Sequence, residues 1–185
     1  GQDLMFSTDK CELGRNFAKK MWNAGIFLLK KKKKIPLNKN LKDAHIDFAD
    51  EWIISRFNET LQQLNKAMDE FEINNSLKLI YTFIWNDFCD WYIELSKPFV
   101  TSAEKTDENT AVKRRIIYIL ERSLSLLHPL MPYITEELWQ RLPHRGKTIC
   151  LNEFPTATAR DEQAEREMEL FTGLVTKLRN IRSTF

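Results

Sequence analysis

Glycine and proline are scarce in this sequence of 185 residues, at five and six. A turn-rich β protein needs more of both, because they supply the unusual backbone angles of tight turns. The glycines also stand singly, so the sequence lacks the Gly-rich loop that cradles phosphates in many nucleotide-binding proteins. The composition therefore favours helices, and a hydrophobic content of 43% is enough for a sizeable core.

Long apolar runs are absent too. None approaches the roughly 20 residues that a helix needs to cross a bilayer, and the first residues lack the pattern of a signal peptide. The three cysteines, Cys11, Cys89 and Cys150, are far apart and lack the paired spacing of a zinc or redox motif. We therefore expect a cytoplasmic protein with reduced thiols and no contact with a membrane.

Patterns for catalysis or metal binding are weak. The three histidines lack metal-ligand spacing, and His128, which precedes a proline, is interpreted as a structural or capping residue. Asp87, Asp90 and Glu94 lie on consecutive turns of one predicted helix, a spacing that could suit a metal or an acid/base pair. Since Lys97 follows one turn later and no histidine is near, we expect these carboxylates to accept hydrogen bonds or to pair with lysines of the first helix.

The net charge of +2 conceals an asymmetry along the chain. Residues 1–42 contain eleven Lys and Arg against three Asp and Glu, whereas residues 43–185 contain seventeen against twenty-three. A basic end of this kind indicates a surface that faces a polyanion. The run from Lys30 to Lys34, taken alone, is equally compatible with a solvated helix end and loop.

Apolar spacing predicts an all-α bundle of about five helices in a single domain, residues 1–185. The predicted helices cover residues 8–31, 47–71, 74–102, a fourth segment from about 107 that breaks at 128–132 and resumes at Pro132, and a last segment from about 161. A polar connector from Lys32 to Lys42 separates the first two helices. A short extended piece is predicted at Thr148 to Leu151.

Helical spacing predicts that Phe71 of the second helix and Leu178 of the last helix face inward, whereas Asn58 lies on a solvated face. In the fourth helix and its continuation, the residues predicted to face inward are Val112, Ile116, Ile119, Ser123, Leu127, Ile134, Leu138, Trp139 and Leu142.

The predicted central helix, residues 74–102, is apolar on most of its circumference, so other helices must surround it. Its most buried stripe is predicted to consist of Ile80, Ile84, Phe88, Trp91 and Leu95. One of Asn74, Asn75 and Ser76 is expected to cap its start. Pro98 lies near its far end and disfavours helical geometry at Lys97.

One face of the first helix is unusual, because it carries a large aromatic ring among polar side chains. Asn16, Lys20, Asn23, Phe27 and Lys31 step by four, three, four and four residues and so form one stripe. The following loop could cover Phe27. Alternatively, the ring stacks on an unpaired base, and the flanking side chains bind base edges and phosphates.

Three segments carry a resemblance to a known family. RNFAKKMWNA at 15–24, WNDFCDWYIE at 85–94 and LHPLMPYITEELW at 127–139 resemble the valyl-tRNA synthetase family, in the order and spacing of its anticodon-binding helical domain. The resemblance covers nearly the whole chain. Isoleucyl and leucyl synthetases share the third segment loosely, so an anticodon-binding domain of that type remains an alternative.

The resemblance implies the anticodon-binding fold of a class I synthetase and a non-catalytic role in binding valine tRNA. The parent enzyme would attach valine in an ATP-dependent reaction, while this fragment, which lacks the family's two catalytic motifs and its C-terminal coiled coil, would hold no cofactor. We expect a monomeric fragment attached to the rest of the synthetase chain.

The family places an Asn and a basic residue against anticodon bases, which correspond to Asn16 and Lys20. It also places an aromatic residue just after the proline of the third helix, which corresponds to Phe99. Asn23 and Phe27 join them on geometric grounds. The predicted site further contains Lys19, Lys31, Asp90, Glu94 and Lys97.

Two other classes of function compete with RNA binding. The Trp-rich central helix and the acidic second part of the chain could form a helical module that binds another protein. Asp87, Asp90 and Glu94 could instead serve a self-contained enzyme. The charge asymmetry favours RNA over a protein partner, and the absence of nucleophile and cofactor motifs disfavours an enzyme.

Overall fold

The computed structural model describes residues 7–31, 48–104, 106–144 and 146–184, and these ranges contain helices and no strand. The helices are α1 Thr8–Lys31, α2 Phe48–Asp69, α3 Ile73–Thr82, a π-helical segment Phe83–Tyr92, α4 Ile93–Thr101, α5 Asp107–Leu127, α6 Pro132–Gln140 and α7 Glu162–Thr184. The all-α prediction is therefore confirmed. The predicted connector from Lys32 to Lys42 and the predicted start of the second helix near Asp47 lie outside the described residues.

α3, the π segment and α4 form one continuous central helix, because the backbone stays right-handed helical at both junctions. α2 precedes it after a short turn and packs against it, and the core lies where α1, α2, α5 and α6 meet the central helix. α7 packs on α2. Among the described helices, none is both long and apolar enough to span a membrane.

The π segment changes which side chains of the central helix are buried. A π-helix has more residues per turn than an α-helix, so it rotates the side chains that follow it. The segment buries Phe83, Ile84, Phe88, Cys89 and Tyr92. Trp91 and Leu95, which α-helical spacing had assigned to the buried stripe, are only half-buried. That assignment is wrong for these two residues.

The central helix runs from Ile73 to Thr101, close to the predicted range, but the expected effect of Pro98 and the expected cap need correction. Pro98 lies inside α4, which continues to Thr101. A proline so close to a helix end removes few backbone hydrogen bonds, and Thr101 Oγ1 donates to the carbonyl oxygen of Lys97 at 2.7 Å. At the other end the helix begins at Ile73, and the N-cap residue is Glu72, whose side chain makes no capping hydrogen bond.

The predicted break between the fourth helix and its continuation is confirmed. α5 ends at Leu127, His128 is its C-cap, and Pro132 occupies the first position of α6. The apolar residues predicted to face inward in α5 and α6 are buried or half-buried. Residues 149–151 form one turn of 3-10 helix instead of the predicted extended piece.

Three other side chains depart from the expected burial. Phe71 was predicted to face inward but is 87% exposed, because its backbone has a φ of 57° and leaves the helix after α2. Asn58 was predicted to be solvated, yet it is buried and binds residues 158 and 159 through its amide. Leu178 of α7 was predicted to share a buried face but is 57% exposed.

A buried polar cluster joins α2, the π segment and α5. Arg115 forms an ion pair with Asp50, and their side chains are 2% and 3% exposed. The hydroxyl of Tyr92 donates to Asp50 Oδ1 at 2.5 Å. Burial, the negative charge of Asp50 and this hydrogen bond together raise the pKa of Tyr92 well above its usual range. The cluster therefore requires all three elements to keep one arrangement.

Gly25 provides a test of the packing between α1 and α6. A Cβ at this position would lie 2.7 Å from Leu138 Cδ2 and 3.1 Å from Cδ1, and Leu138 is fully buried. We expect Gly25→Ala to lower the free energy of unfolding by about 1–3 kcal/mol through overpacking. Urea denaturation measures the change.

Gly14→Ala in the same helix is the control. A Cβ at Gly14 would have no atom within 4 Å, so this variant should raise the free energy of unfolding by about 0.5–1 kcal/mol. Equal effects of the two variants would contradict this close packing.

The buried ion pair generates a second prediction. Arg115→Met leaves Asp50 buried without its charged partner, and breaking such a pair costs about 3–5 kcal/mol. Urea unfolding should show this loss, whereas Arg166→Met, which affects a largely exposed pair with Glu162, should change stability by less than about 0.5 kcal/mol. Replacing Asp50 by Leu together with Arg115→Met should cost less than the two single changes summed. Additive costs would show that the two charges do not interact.

Candidate functional site

A groove of about 540 Å³ lies between α1 and the second half of the central helix. Its lining consists of Asn16, Lys19, Lys20, Asn23, Ala24, Phe27, Cys89, Asp90, Ile93, Glu94 and Lys97. Eight of the ten predicted site residues thus line one groove. Lys31 is the last residue of α1, and Phe99 is half-buried against the core, outside the lining. Their roles remain predictions.

The floor of the groove is apolar. Cys89 and Ile93 are buried, and Phe27 packs partly against the core while part of its ring remains exposed. Burial raises the pKa of the Cys89 thiol to about 12. Cys89 is therefore a neutral wall residue, and the accessible part of the Phe27 ring is a surface on which a flat ligand could stack.

Lys20 is held in place by two neighbours on the central helix. Its Nζ lies 2.6 Å from Asp90 Oδ1 and 3.7 Å from the centre of the Trp85 ring. The Lys20 side chain is only 24% exposed, so both contacts restrict its motion. This confirms the interpretation that a carboxylate of the central helix pairs with a lysine of the first helix.

Trp85 also contributes to the site, although it was not among the predicted site residues. Its ring stacks on Tyr81 with centres 5.5 Å apart, and Tyr81 in turn lies 5.0 Å from the ring of Phe17. The stack therefore runs from the core to the Lys20 ammonium. Facing residues on two helices create this arrangement, so the spacing within either helix alone gave no signal of it.

Several polar groups in the groove are available to a ligand. Asn16 and Asn23 are exposed, and neither amide forms a hydrogen bond within the ranges that the structure describes. Lys19 is exposed as well, and no carboxylate among the described residues pairs with it. Each amide offers both donors and an acceptor, the combination that suits base edges, and the ammonium suits a phosphate.

The three carboxylates of the central helix do not act as one unit, because each pairs with a different cation. Asp87 binds Arg56 Nε at 3.1 Å, Asp90 binds Lys20, and Glu94 binds Lys97 at 2.6 Å. Burial raises the pKa of Asp87, although the neighbouring Arg56 opposes this shift. No group of three metal-ligand side chains comes together within the described ranges. This geometry gives no support to an acid/base pair or a metal site.

The comparisons with known proteins identify relatives of this chain. Residues 50–185 match the family described as "Anticodon-binding domain of tRNA ligase". The chain is 37% identical over 185 residues to the valine–tRNA ligase of Bacillus anthracis and 38% identical over 185 residues to that of Bacillus subtilis (strain 168). Each alignment covers 99% of this chain and 21% of the relative. The chain thus spans about a fifth of the length of these relatives.

Proposed function

The chain belongs to the family of anticodon-binding domains of tRNA ligases, and we propose that its groove receives the anticodon loop of a valine-specific tRNA. The observation that carries this proposal is the groove itself. It combines an accessible aromatic ring, two exposed amides and a fixed lysine in one cleft. Unpaired bases are recognised by this combination, because they can be stacked on a ring while their edges form hydrogen bonds.

Within the groove, base edges suit the interior better than phosphates do. Asp90 and Glu94 accept hydrogen bonds and would repel a phosphate, whereas the amino groups of bases can donate to them. Asn16 and Asn23 add donors and acceptors beside the Phe27 ring. Phosphates would instead meet Lys19 at the groove and the basic run that begins at Lys30.

The Lys20 side chain is already oriented before the tRNA binds. A free lysine loses much rotamer entropy when a ligand fixes it, but the Asp90 and Trp85 contacts have already restricted this side chain. Asp90 therefore has a positioning role for Lys20. Phe99, half-buried on the core, would act at the edge of the same surface.

The parent protein, in this proposal, is a cytoplasmic valine–tRNA ligase that attaches valine to its tRNA with ATP. Residues 1–185 form one domain of it, act as a monomeric unit and contribute tRNA binding, while the ATP-dependent chemistry takes place elsewhere in the parent chain. The identity to valine–tRNA ligases over 99% of this chain supports the choice of valine over isoleucine and leucine.

A binding experiment tests this function. We expect the protein to bind valine tRNA more tightly than an unrelated tRNA in a gel-shift titration, and the preference should persist at a higher salt concentration. Phosphate attraction weakens with salt for every RNA, whereas contacts to bases distinguish sequences. Equal affinities for both tRNAs at the higher salt would contradict anticodon recognition by this groove.

The contribution of stacking can be separated from that of charge. Phe27→Ala should weaken the binding of valine tRNA by about 1–3 kcal/mol, the usual range for one stacked base, and leave the salt dependence nearly unchanged. Replacing Lys30 and Lys33 by Gln should weaken binding to every RNA and lower the salt slope by about 0.7 for each lost single-strand contact. Both variants would be titrated against valine tRNA and a hairpin with a fully paired end, over a salt series.

Two controls make the Phe27 result decisive. Phe154→Ala removes a partly exposed ring outside the groove lining and should leave RNA binding unchanged. Thermal melting of Phe27→Ala reports whether the domain stays folded. If this variant weakens both RNAs equally, or if it unfolds, Phe27 is a core residue and the stacking surface is wrong.

A further inference from the structure

The corner between α5 and α6 brings a cysteine and a histidine into contact, away from the groove lining. Cys150 Sγ lies 3.0 Å from His128 Nε2. Cys150 belongs to the 3-10 turn Ile149–Leu151 and is exposed to solvent, whereas His128 caps α5 and is half-buried. A thiol within hydrogen-bond reach of an imidazole is the arrangement that activates nucleophilic cysteines, provided that a third group orients the imidazole.

Thr135 is that third group. Its hydroxyl lies 2.7 Å from His128 Nδ1 and within donating distance of two backbone carbonyl oxygens, those of Met131 at 2.9 Å and Pro132 at 3.1 Å. With its one proton donated to these carbonyls, the Thr135 oxygen accepts a hydrogen bond from Nδ1–H. This assigns the neutral tautomer with its lone pair on Nε2, the nitrogen that faces the Cys150 thiol.

Glu136 is a negatively charged neighbour of the same histidine. Desolvation raises the pKa of Glu136, but hydrogen bonds from Gln140, Thr148 and the backbone of Ile149, together with the field of His128, outweigh it and lower the pKa below its ordinary value. Glu136 is therefore a carboxylate near neutral pH, and it adds a negative charge beside the corner where Cys150 and His128 meet.

We propose that Cys150 is a reactive thiol, activated by His128 and positioned by Thr135, that forms a mixed disulfide with a low-molecular-weight disulfide of the glutathione type. The thiol proton passes to His128 Nε2, and the thiolate attacks one sulfur of the disulfide. A bond forms between Cys150 and that sulfur while the original S–S bond breaks. The leaving thiolate takes up the proton from the imidazolium, so the disulfide is the oxidant and one free thiol is released.

The other two cysteines provide internal comparisons. Cys11 is also exposed, but no histidine contacts it within the described residues. It lies near the start of α1 and serves as the exposed reference thiol. Cys89 is buried with a pKa of about 12 and should not react.

The experiment measures modification at each cysteine of the same protein. We would incubate the protein with oxidised glutathione at neutral pH, stop the reaction with acid and quantify each modified peptide by mass spectrometry. Only a few per cent of an ordinary thiol is ionised at neutral pH, so we expect Cys150 to react about five- to tenfold faster than Cys11. The two rates should become similar in denaturing urea, because unfolding separates Cys150 from His128.

His128→Asn should remove the advantage of Cys150 while leaving the rate at Cys11 unchanged. Equal rates at Cys11 and Cys150 in the folded protein would overturn the proposal, and so would an advantage that persists in urea. This comparison uses the unaltered protein, so it stands even if His128→Asn fails to fold. It also involves no RNA, so it can fail without affecting the proposed tRNA binding.

Discussion

The buried ion pair between Asp50 and Arg115 is the constraint on which the arrangement of this bundle depends. Two charges in a core are tolerated only if they meet in one geometry, because each is costly without the other. Apolar side chains of suitable volume can pack in more than one arrangement, so apolar contact alone fixes α2 against α5 less uniquely. The ion pair, together with the Tyr92 hydroxyl, selects one of these arrangements.

The π segment connects the buried cluster to the groove. Tyr92 belongs to this segment and points to Asp50 in the core, while Asp90, two residues earlier, pairs with Lys20 on the groove side. The same ten residues thus connect the buried cluster to the site. A rotation of the central helix that broke the Tyr92 contact would also displace Asp90, so core geometry and site geometry are coupled.

Much of the architecture was predictable because it depends on local patterns. The break at residues 128–132 follows from two prolines, and the stripe on α1 follows from helical spacing, which needs no knowledge of neighbouring helices. The failures have a different origin. Asn58 is buried by a loop a hundred residues away, Phe71 is exposed by a left-handed backbone angle, and Trp91 and Leu95 are rotated by π-helical geometry. None of these causes can be inferred from the apolar spacing of a single helix.

The π segment contradicts part of the predicted buried stripe and also contributes to the candidate site, and these two facts have one physical explanation. A π-helical turn is less favourable than an α-helical one and is therefore retained where it performs a task, often at a functional site. Here it allows Phe88 and Tyr92 to enter the core while Trp85 and Asp90 meet Lys20 across the groove. Regular α-helical spacing cannot direct all four side chains in this way, since residues five apart, such as Trp85 and Asp90, would lie about 140° apart around an α-helix. The π segment is thus a locally less favourable backbone that holds Lys20 beside the Trp85 ring. The buried cluster of Asp50, Arg115 and Tyr92 stabilises this segment.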